Sequence, residues 1–429
     1  MTAEPTVVQD QTDNRSATPP ELDGLTTELA MARLVEHAAK LGASDLLLLA
    51  HEDYLAIQMR RLGLVEPVAI VSPDKGKAFI QHLKAEAGMD VAELRRPADG
   101  RWLYEFELEG FDHNQTVDLR LSTLPTLHGE DMVIRLLDRE QGLFNLDDLG
   151  MTPDELRAYQ RMIHSPGGLI LCTGPTASGK SSTLYATLAA LHDGQRKINT
   201  IEDPVEFAVD GLRQSQTQPG IGLTFSKLLR AVLRQSPDVI MIGEIRDEET
   251  AHTAVRAANS GHLVLSTLHA PVADAAVESM RGLGVPDHFL ASALRGVVTQ
   301  RLLRTLDPDH RISFDLDHAP EVFASVRPKL QPGEGDKLYA PDPAKGPAGY
   351  ASRAGVFEVL EVDANIRSLI AQGAEANRIR AAAIDAGMTP FRDNALVKVA
   401  QGLTSIEEVY RVIPSEYLQD ETPDRAAAA

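Results

Sequence analysis

The sequence predicts an α/β protein in two folded parts, a smaller α+β domain followed by a larger domain built on a mainly parallel sheet. Residues 152–414 alternate short apolar strands with segments of helical periodicity, which is typical of a parallel sheet covered by helices. The chain has 429 residues and 43% hydrophobic content, enough to fill two cores.

The first part of the chain predicts the smaller domain and its beginning. Residues 1–24 are rich in Thr, Pro, Asp and Gln and poor in large apolar groups, so we expect them to be disordered. Residues 25–143 combine an amphipathic helical segment, residues 26–42, with apolar strand-like runs at residues 44–50 and 131–137. This mixture predicts a compact α+β domain.

A domain border is predicted at residues 144–151, where the turn-forming residues Asn, Asp and Gly accumulate. Thr152 and Glu155 follow in capping-box spacing, which marks the start of a helix and of the larger domain. That domain is predicted to end at Pro414. The tail, residues 415–429, has no apolar periodicity beyond its alanines, and we expect it to be flexible.

Composition limits the partners and the location of the protein. The formal net charge of -20 disfavours binding to polyanions, so we expect no nucleic-acid partner. The single cysteine, Cys172, can form no intramolecular disulfide, which fits a reducing cytoplasm. The sequence has neither a secretory signal pattern nor an apolar run near the roughly 20 residues of a membrane helix. We therefore expect membrane contact only through a partner.

The stretch GPTASGK, residues 174–180, has two glycines five positions apart and a lysine directly after the second. An apolar run, residues 168–173, precedes it, and a helical segment, residues 181–192, follows. Strand, glycine-rich loop and helix together predict a nucleotide-binding loop whose lysine and backbone N–H groups hold phosphates and whose next hydroxyl binds Mg²⁺. By itself the motif also fits a structural turn. The predicted nucleotide-binding residues are Gly174, Pro175, Thr176, Ala177, Ser178, Gly179, Lys180, Ser181 and Ser182.

Hydrolysis also requires carboxylates that orient the metal and a water molecule. The run VIMIGE ends in Glu244, as expected of a central strand that delivers an acid to its carboxyl edge. The alternative is a glutamate at the N-terminus of the following helix. A second strand-like run ends at Ile201 and is followed by Glu202, Asp203 and Glu206 around a proline. Taken alone, this acidic turn is more typical of a solvated loop.

Two histidines bracket a third, mostly apolar run. His262 and His269 stand at its opposite ends, with six residues between them. A strand of that length spans roughly 20 Å, so one end can lie beside a bound γ-phosphate and report its presence to a neighbour. An isolated histidine is more often structural, and that alternative stays open.

Taken in order, the segments GPTASGKS, TIEDPVEF, LRQSPDVIMIGEIRDEETA and GHLVLSTLHA resemble the secretion ATPase superfamily, in particular its type II secretion and type IV pilus assembly ATPases. The resemblance extends from about Ser44 to Ile413. It identifies the four segments as the Walker A, Asp box, Walker B and His box of that family. It implies a RecA-like P-loop NTPase domain preceded by a PAS-like α+β domain.

The resemblance also implies a function. It implies a homo-hexameric motor in which hydrolysis of ATP, with Mg²⁺, moves an inner-membrane platform protein and drives polymerisation of pseudopilin or pilin. It implies a cytoplasmic protein that is peripheral to the inner membrane through its partners. The residues it implies are Lys180 and Ser181 for phosphate and Mg²⁺, Glu244 as the Walker B glutamate at the Mg²⁺ site, Glu206 as the Asp-box acid, and His262 and His269 as the His-box pair.

Two arginines, Arg120 and Arg135, fall where the family's arginines approach the nucleotide in the ring. They lie in strand-like runs, and an antiparallel hairpin centred between Leu127 and His128 places them directly opposite one another. Like charges in that position repel, and an anion between them, such as a γ-phosphate, is a reason to keep both. The alternative is a pair of surface arginines, each bonded to a nearby acid.

Many assembly ATPases of the family carry a four-cysteine zinc module where this chain has residues 307–323. That segment contains no cysteine here, so we expect no zinc. Further along, residues 330–350 are so rich in Pro and Gly that we expect a long surface loop.

Three alternative functions share parts of this pattern. A pilus-retraction motor has the same ring and chemistry with the opposite output. A RecA-like nucleic-acid translocase needs a basic or aromatic pore, which the net charge of -20 and the single tryptophan disfavour. A regulatory homologue without hydrolysis would lack Lys180, Glu244 or the arginines, and all of them are present.

Overall fold

The computed structural model of the chain describes residues 19–106, 115–138, 145–315, 323–344 and 349–419. The chain divides into two compact units, and the division falls between Gln141 and Gly142. No helix within the described ranges is both long enough and apolar enough to cross a bilayer. Of the predicted flexible tail, residues 420–429 lie outside the described residues.

The N-terminal unit is an antiparallel sheet of six strands with two helices. Its elements are α1 (Thr27–Lys40), β1 (Asp45–Ala50), β2 (Leu55–Arg61), β3 (Leu64–Val71), α2 (Pro73–Glu86), β4 (Ala98–Phe106), β5 (Gln115–Thr126) and β6 (Gly129–Asp138). The strand order is β3-β2-β1-β6-β5-β4. Both helices begin at an N-cap hydroxyl, Thr26 or Ser72, and pack their apolar residues into one core with the strands.

Part of the segment predicted to be disordered belongs to this unit. Leu22 is 5% exposed within the core, and its carbonyl oxygen accepts a hydrogen bond from Lys75 Nζ at 2.6 Å. The packed chain therefore begins before Leu25. Residues 1–18 lie outside the described residues.

Strands β5 and β6 form the hairpin that the sequence predicts, and its register is confirmed: Arg120 pairs with Arg135. Arg101 of β4 stands opposite Arg120, and Asp45 of β1 stands opposite Arg135. Arg60 of β2 stands opposite Asp45 in turn, so four arginines and one aspartate form one row across the sheet.

The C-terminal unit contains a seven-stranded sheet and a two-stranded ribbon. The strands of the sheet are β7 (Gly168–Thr173), β8 (Ile198–Glu202), β9 (Arg213–Gln216), β10 (Val239–Ile242), β11 (Leu263–Leu268), β12 (Leu294–Leu306) and β15 (Tyr350–Glu361), and the ribbon pairs β13 (Arg311–Asp315) with β14 (Lys337–Pro341). The sheet order is β15-β12-β7-β11-β10-β8-β9. All neighbours are parallel except β12 and β15, so the predicted mainly parallel sheet is confirmed.

Helices pack against both faces of this sheet. They are α3 (Pro153–Ile163), α4 (Lys180–Leu191), α5 (Phe225–Val232), α6 (Glu248–Asn259), α7 (Ala275–Gly282), α8 (Asp287–Ala293), α9 (Ala364–Ala371), α10 (Ala376–Asp385), α11 (Phe391–Ala400) and α12 (Ile406–Val412). One core cluster contains residues of α5 to α10, and another contains residues of α3 and α4. Strands β7, β10 and β11 are buried at every position, which is why the sequence shows them as continuous apolar runs.

Of the predicted linker, 144–151, the structure describes residues 145–151, and two leucines among them pack into the C-terminal unit. Leu146 and Leu149, in a short 3₁₀ helix, are buried in the core cluster that includes α3 and α4. The predicted capping box at the start of α3 is confirmed. Thr152 N–H donates to the Glu155 carboxylate at 2.7 Å, and Glu155 N–H donates to the Thr152 hydroxyl at 3.4 Å.

Residues 330–350 are not entirely the loop that their composition predicts. Strand β14 lies within them and pairs in antiparallel register with β13. Its proline, Pro341, is the last residue of a two-stranded ribbon, a position where a missing N–H donor is tolerated. Residues 345–348 lie outside the described residues.

Candidate active site

The glycine-rich loop joins the carboxyl end of β7 to α4, which begins at Lys180. Gly174 and Gly179 have φ angles of 138° and 88°, where other residues are strained. A Cβ atom on Gly174 would lie 2.3 Å from the backbone oxygen of Gln300. Close approach to β12 therefore requires glycine at the first position of the motif.

Lys180 supplies the positive charge of the loop. Its Nζ donates to the carbonyl oxygens of Gly174 at 3.0 Å and Pro175 at 2.8 Å. Burial lowers the pKa of this ammonium, and the nearby Cys172 and Glu244 groups oppose that shift. The lysine is thus close enough to Glu244 for the two charges to interact.

The side chains of the loop fit a polyphosphate and its metal. Ser178 Oγ is buried and, among the described residues, has no hydrogen-bond partner. The N-cap of α4 is Gly179, which offers no side chain to the first N–H groups of the helix, so these groups and the positive end of the helix dipole are available to an anion. The Ser181 hydroxyl and the Glu244 carboxylate supply oxygen ligands of the kind Mg²⁺ prefers.

Glu244 follows β10 at the carboxyl edge of the sheet, as the sequence predicts. It does not start a helix, because α6 begins at Glu248 with Asp247 as its N-cap. The Glu244 side chain is 17% exposed, its Oε1 lies 3.0 Å from His269 Nε2, and its Oε2 accepts a hydrogen bond from Arg246 Nε at 2.6 Å. Both carboxylate oxygens are therefore held in place.

Backbone and hydroxyl contacts fix this edge of the sheet. Gly243 N–H donates to the Ile201 oxygen at 2.7 Å, and Ile245 N–H donates to the Thr267 oxygen at 3.0 Å. The Thr267 hydroxyl also donates to the Gly243 oxygen at 2.6 Å. The end of β10 is thus held between β8 and β11, and the parallel order of the strands brings Glu244 and His269 together.

The first acid of the acidic turn, Glu202, has a structural role. Its side chain is buried and accepts hydrogen bonds from Tyr185, from Thr200 at 2.5 Å and from Gln214 at 3.1 Å. A carboxylate with three such donors is fully engaged by the protein. It fixes the end of β8 against α4.

The other two acids, Asp203 and Glu206, follow β8 at the same edge as Glu244. Arg246, which binds Glu244, also lies 3.7 Å from the Asp203 carboxylate. This guanidinium therefore links the acidic turn to the Walker B segment. Glu206 is half-buried, and its contribution to metal or water binding stays a prediction.

His262, the other member of the His-box pair, lies at the end of β11 away from Glu244, and a catalytic role for it stays a prediction. His262 precedes β11, and its backbone oxygen accepts a hydrogen bond from Gly168 N–H, at the start of β7, at 3.0 Å. The glycine-rich loop leaves β7 at the opposite end. Because the six residues of β11 span roughly 20 Å, the two histidines lie on opposite edges of the sheet, and His269 alone accompanies Glu244.

Arg120 and Arg135 lie in the N-terminal unit, on a sheet face that also carries acids. Arg135 Nε lies 3.3 Å from Asp45 Oδ1, and its side chain is 62% exposed. Their neighbour Arg101 forms two hydrogen bonds with Asp118, at 2.8 and 2.5 Å. The ion pair of Arg135 agrees with the surface alternative, while the approach of both arginines to a nucleotide stays a prediction.

Sequence reasoning missed Gln300, which holds the glycine-rich loop from β12. Gln300 is 2% exposed, and its Nε2 donates to the Ser178 oxygen at 2.8 Å. Its Oε1 accepts from the Thr183 hydroxyl at 2.8 Å and from Cys172 Sγ at 3.1 Å. The signal in the sequence is weak, because Gln300 is one of several polar residues in β12.

Gln300→Ala is expected to lower the free energy of unfolding by about 1–3 kcal/mol, because the buried Thr183 hydroxyl and the Ser178 carbonyl lose their partner. We also expect a higher KM for ATP with a smaller change in kcat, since the loop that binds phosphate loses its support. Denaturant unfolding and steady-state kinetics measure both. Gln372→Ala, at an exposed position on α9, is the control; equal results for the two variants would contradict this role.

A second carboxylate, Glu358 on β15, supports the segment that follows His269. It is fully buried, accepts a hydrogen bond from Ala273 N–H at 3.2 Å, and lies 2.7 Å from Arg380. Burial raises the pKa of Glu358, and the hydrogen bond and charge of Arg380 oppose that rise. The backbone that carries His269 is thus anchored to the far side of the sheet.

No group of three or more His, Cys, Asp or Glu side chains within the described residues is arranged to hold a metal ion. Residues 316–322 of the segment considered for zinc lie outside that description. We predict that the purified protein carries no stoichiometric zinc and that EDTA leaves its Tm unchanged, since its only cysteine is buried in β7. Elemental analysis and thermal unfolding test this, and one zinc per chain would contradict it.

A family model described as "Type II/IV secretion system protein" matches residues 22–411. The Type II secretion system ATPase E of Vibrio cholerae serotype O1 is 42% identical over 399 residues, which span 91% of this chain and 76% of that protein. The chain belongs to the type II/IV secretion ATPase family. Its members include the Type II secretion system protein E of Dickeya dadantii, 37% identical with 96% and 80% coverage, and the Type IV pilus assembly ATPase PilB of Thermus thermophilus, 37% identical with 93% and 44% coverage.

Solved structures show the fold of this secretion ATPase family in the chain. The Legionella pneumophila ATPase DotB has a TM-score of 0.66 and 20% identity, with coverage of 93% of this chain and 99% of that one. The pilus retraction motor PilT, solved with bound ADP, has a TM-score of 0.57 and 23% identity, with coverage of 92% and 97%. Membership of the family makes the chain an ATPase, with the α/β fold that the sequence predicts.

Proposed function

We propose that this secretion-family ATPase works as a homo-hexamer that hydrolyses ATP to drive assembly of a type II secretion pseudopilus or a type IV pilus. The observation that carries the proposal is the constellation at the carboxyl edge of the parallel sheet. There Lys180 begins the helix after the glycine-rich loop, and Glu244 is held between His269 and Arg246. Relatives that are 37–42% identical and bear type II secretion and pilus assembly names support assembly of a pseudopilus or pilus as the process that the ATPase drives.

Assembly is preferred to retraction. The retraction motor PilT is 23% identical, a level that supports a common fold and not a common output. The relatives at higher identity bear secretion or assembly names. We therefore propose an assembly motor, with retraction as the alternative that the experiment below separates.

Each residue of the site has a proposed task. The Lys180 ammonium binds the phosphates, and the Ser181 hydroxyl and Glu244 carboxylate hold Mg²⁺. The metal, when bound, offsets the negative charge that develops on the phosphoryl oxygens. Glu244 orients the attacking water and accepts its proton. His269, 3.0 Å from Glu244, keeps that carboxylate aligned.

The partners follow from the same proposal. Six copies form the ring. The ring transmits the mechanical work of ATP hydrolysis to an inner-membrane platform protein at the cytoplasmic face of the membrane. The protein reaches the membrane only through such partners. Nucleic acid is not among them, since a chain of net charge -20 repels a polyanion.

The test measures the oligomeric state of the protein, its hydrolysis of ATP, and its effect on secretion or pilus extension in cells. Sedimentation of the purified protein should give the mass of six chains in the presence of nucleotide, and phosphate release should rise with the hexamer fraction. In a strain that lacks this protein, wild type should restore secretion or pilus extension, and Glu244→Gln should not. Hydrolysis by a stable monomer, or loss of pilus retraction alone in the deletion strain, would overturn the proposal.

A further inference from the structure

A second concave site lies at the amino edge of the parallel sheet, on the side away from the glycine-rich loop. It is a cavity of about 330 Å³ between α5, α6 and the start of β11. We call it the basic pocket. Its lining residues are Arg230, Leu233, Arg234, Thr253, Arg256, Ala257, Ser260 and His262.

The basic pocket carries more positive charge than its surroundings neutralise. Arg230 forms an ion pair with Glu249 at 2.7 Å. Across the described ranges, neither Arg234 nor Arg256 forms an ion pair. Three guanidiniums thus face one carboxylate on a protein whose formal net charge is -20.

The guanidiniums retain donors for a ligand. Arg234 donates one hydrogen bond to the Arg230 oxygen at 2.8 Å, and Arg256 donates one to the Thr253 hydroxyl at 3.3 Å. Each guanidinium has five N–H groups, and the described part of the chain uses only a minority of them. The C-terminal ends of α5 and α6 contribute partial negative charge here, which offsets part of the positive charge of the arginines.

His262, which lies away from Glu244, lines this pocket. His262 Nδ1 lies 2.9 Å from the Ala257 carbonyl oxygen, which can only accept, so Nδ1 carries the proton. The bond fixes the imidazole at the pocket wall. Thr253 and Ala257, both 2% exposed, line the pocket together with the arginines.

We propose that the basic pocket binds a phosphate-class oxyanion, at a site separate from the glycine-rich loop. Guanidinium groups bind phosphate oxygens through paired, charge-assisted hydrogen bonds, and the pocket presents them around a concave surface. The cavity of about 330 Å³ is large enough to admit phosphate or pyrophosphate with bound water.

The test uses pyrophosphate as the probe and Lys180→Ala as the starting protein, because this variant removes the lysine of the nucleotide-binding loop. Pyrophosphate should raise the Tm of Lys180→Ala above the value in chloride at equal ionic strength. Arg234→Gln and Arg256→Gln, each added to Lys180→Ala, should weaken the apparent Kd at least about tenfold, since each removes a charge-assisted hydrogen bond. Arg378→Gln, an exposed change of equal charge on α10, should leave the Kd unchanged.

Other results would overturn the proposal. One is a Tm that pyrophosphate raises no more than chloride does. Another is an equal response in Arg234→Gln, Arg256→Gln and Arg378→Gln, which would indicate non-specific screening. A third is a change of oligomeric mass in the pocket variants without any effect of pyrophosphate, which would assign the arginines to an acidic surface of a second copy.

Discussion

Lys180→Ala is expected to abolish nucleotide binding, whereas Glu244→Gln is expected to keep ATP bound and to lose hydrolysis. The lysine change removes a half-buried charge from the phosphate loop, which costs about 2–5 kcal/mol of binding free energy and so weakens the Kd by roughly 30-fold to several thousandfold, beyond the working range of the titration. The glutamate change leaves the loop intact and removes the base held by His269 and Arg246. We expect kcat to fall by about 10²- to 10⁴-fold. Titration with a fluorescent ATP analogue and single-turnover phosphate release measure the two effects separately.

Glu248→Gln is the matched control for the glutamate change. It removes a carboxylate that is 77% exposed at the start of α6, close in sequence to Glu244, and should leave both binding and turnover at wild-type values. An equal loss of ATP affinity in Lys180→Ala and Glu244→Gln would refute the separate roles of the two residues.

The second large loss of ATP hydrolysis is expected from substitutions of two arginines in the N-terminal unit. Arg120→Ala and Arg135→Ala should each fold and bind ATP but lose most hydrolysis, because an arginine that contacts the transferring phosphoryl group accelerates the reaction by about 10³- to 10⁵-fold. The confirmed pairing of the two residues across β5 and β6 lets both guanidiniums reach one anion. Thermal unfolding, ATP titration and kcat of the assembled protein are the three measurements.

Arg60→Ala serves as the control, since Arg60 lies on the same sheet, 3.7 Å from the Asp45 carboxylate that Arg135 also contacts. It should leave kcat unchanged. Wild-type turnover in assembled Arg120→Ala and Arg135→Ala would instead return the pair to the surface role that the ion pair of Arg135 already suggests.

Much of the fold and part of the site could be predicted because the relevant signals are local. The capping box of Thr152 and Glu155 needs only two residues at the right spacing, and the register of Arg120 with Arg135 follows from the centre of one short hairpin. Likewise, the apolar run before Glu244 predicts a buried strand that ends in an acid. In each case few residues separate the partners.

The features that sequence reasoning missed depend on distant partners. The structural role of Glu202 requires Tyr185 on α4, and the support that Gln300 gives the loop requires β12 to pair beside β7. The sequence places His262 and His269 at opposite ends of one strand, as the structure does, but it does not say which end lies beside the nucleotide-binding loop. Burial and strand direction decide these roles, and neither is visible in a short motif.

The contact between Gln300 and the glycine-rich loop also has a consequence for biosynthesis. Ser178 and Gln300 are 122 positions apart, and β7 lies between β11 and β12 in the sheet. At about 5–20 residues per second, a ribosome needs roughly 6–24 s to extend the chain from one residue to the other. Until β11 is made, both sides of β7 lack a neighbouring strand, and until β12 is made the loop also lacks the side chain that holds it. A nascent chain released before β12 therefore carries the complete nucleotide-binding motif without its supporting strand.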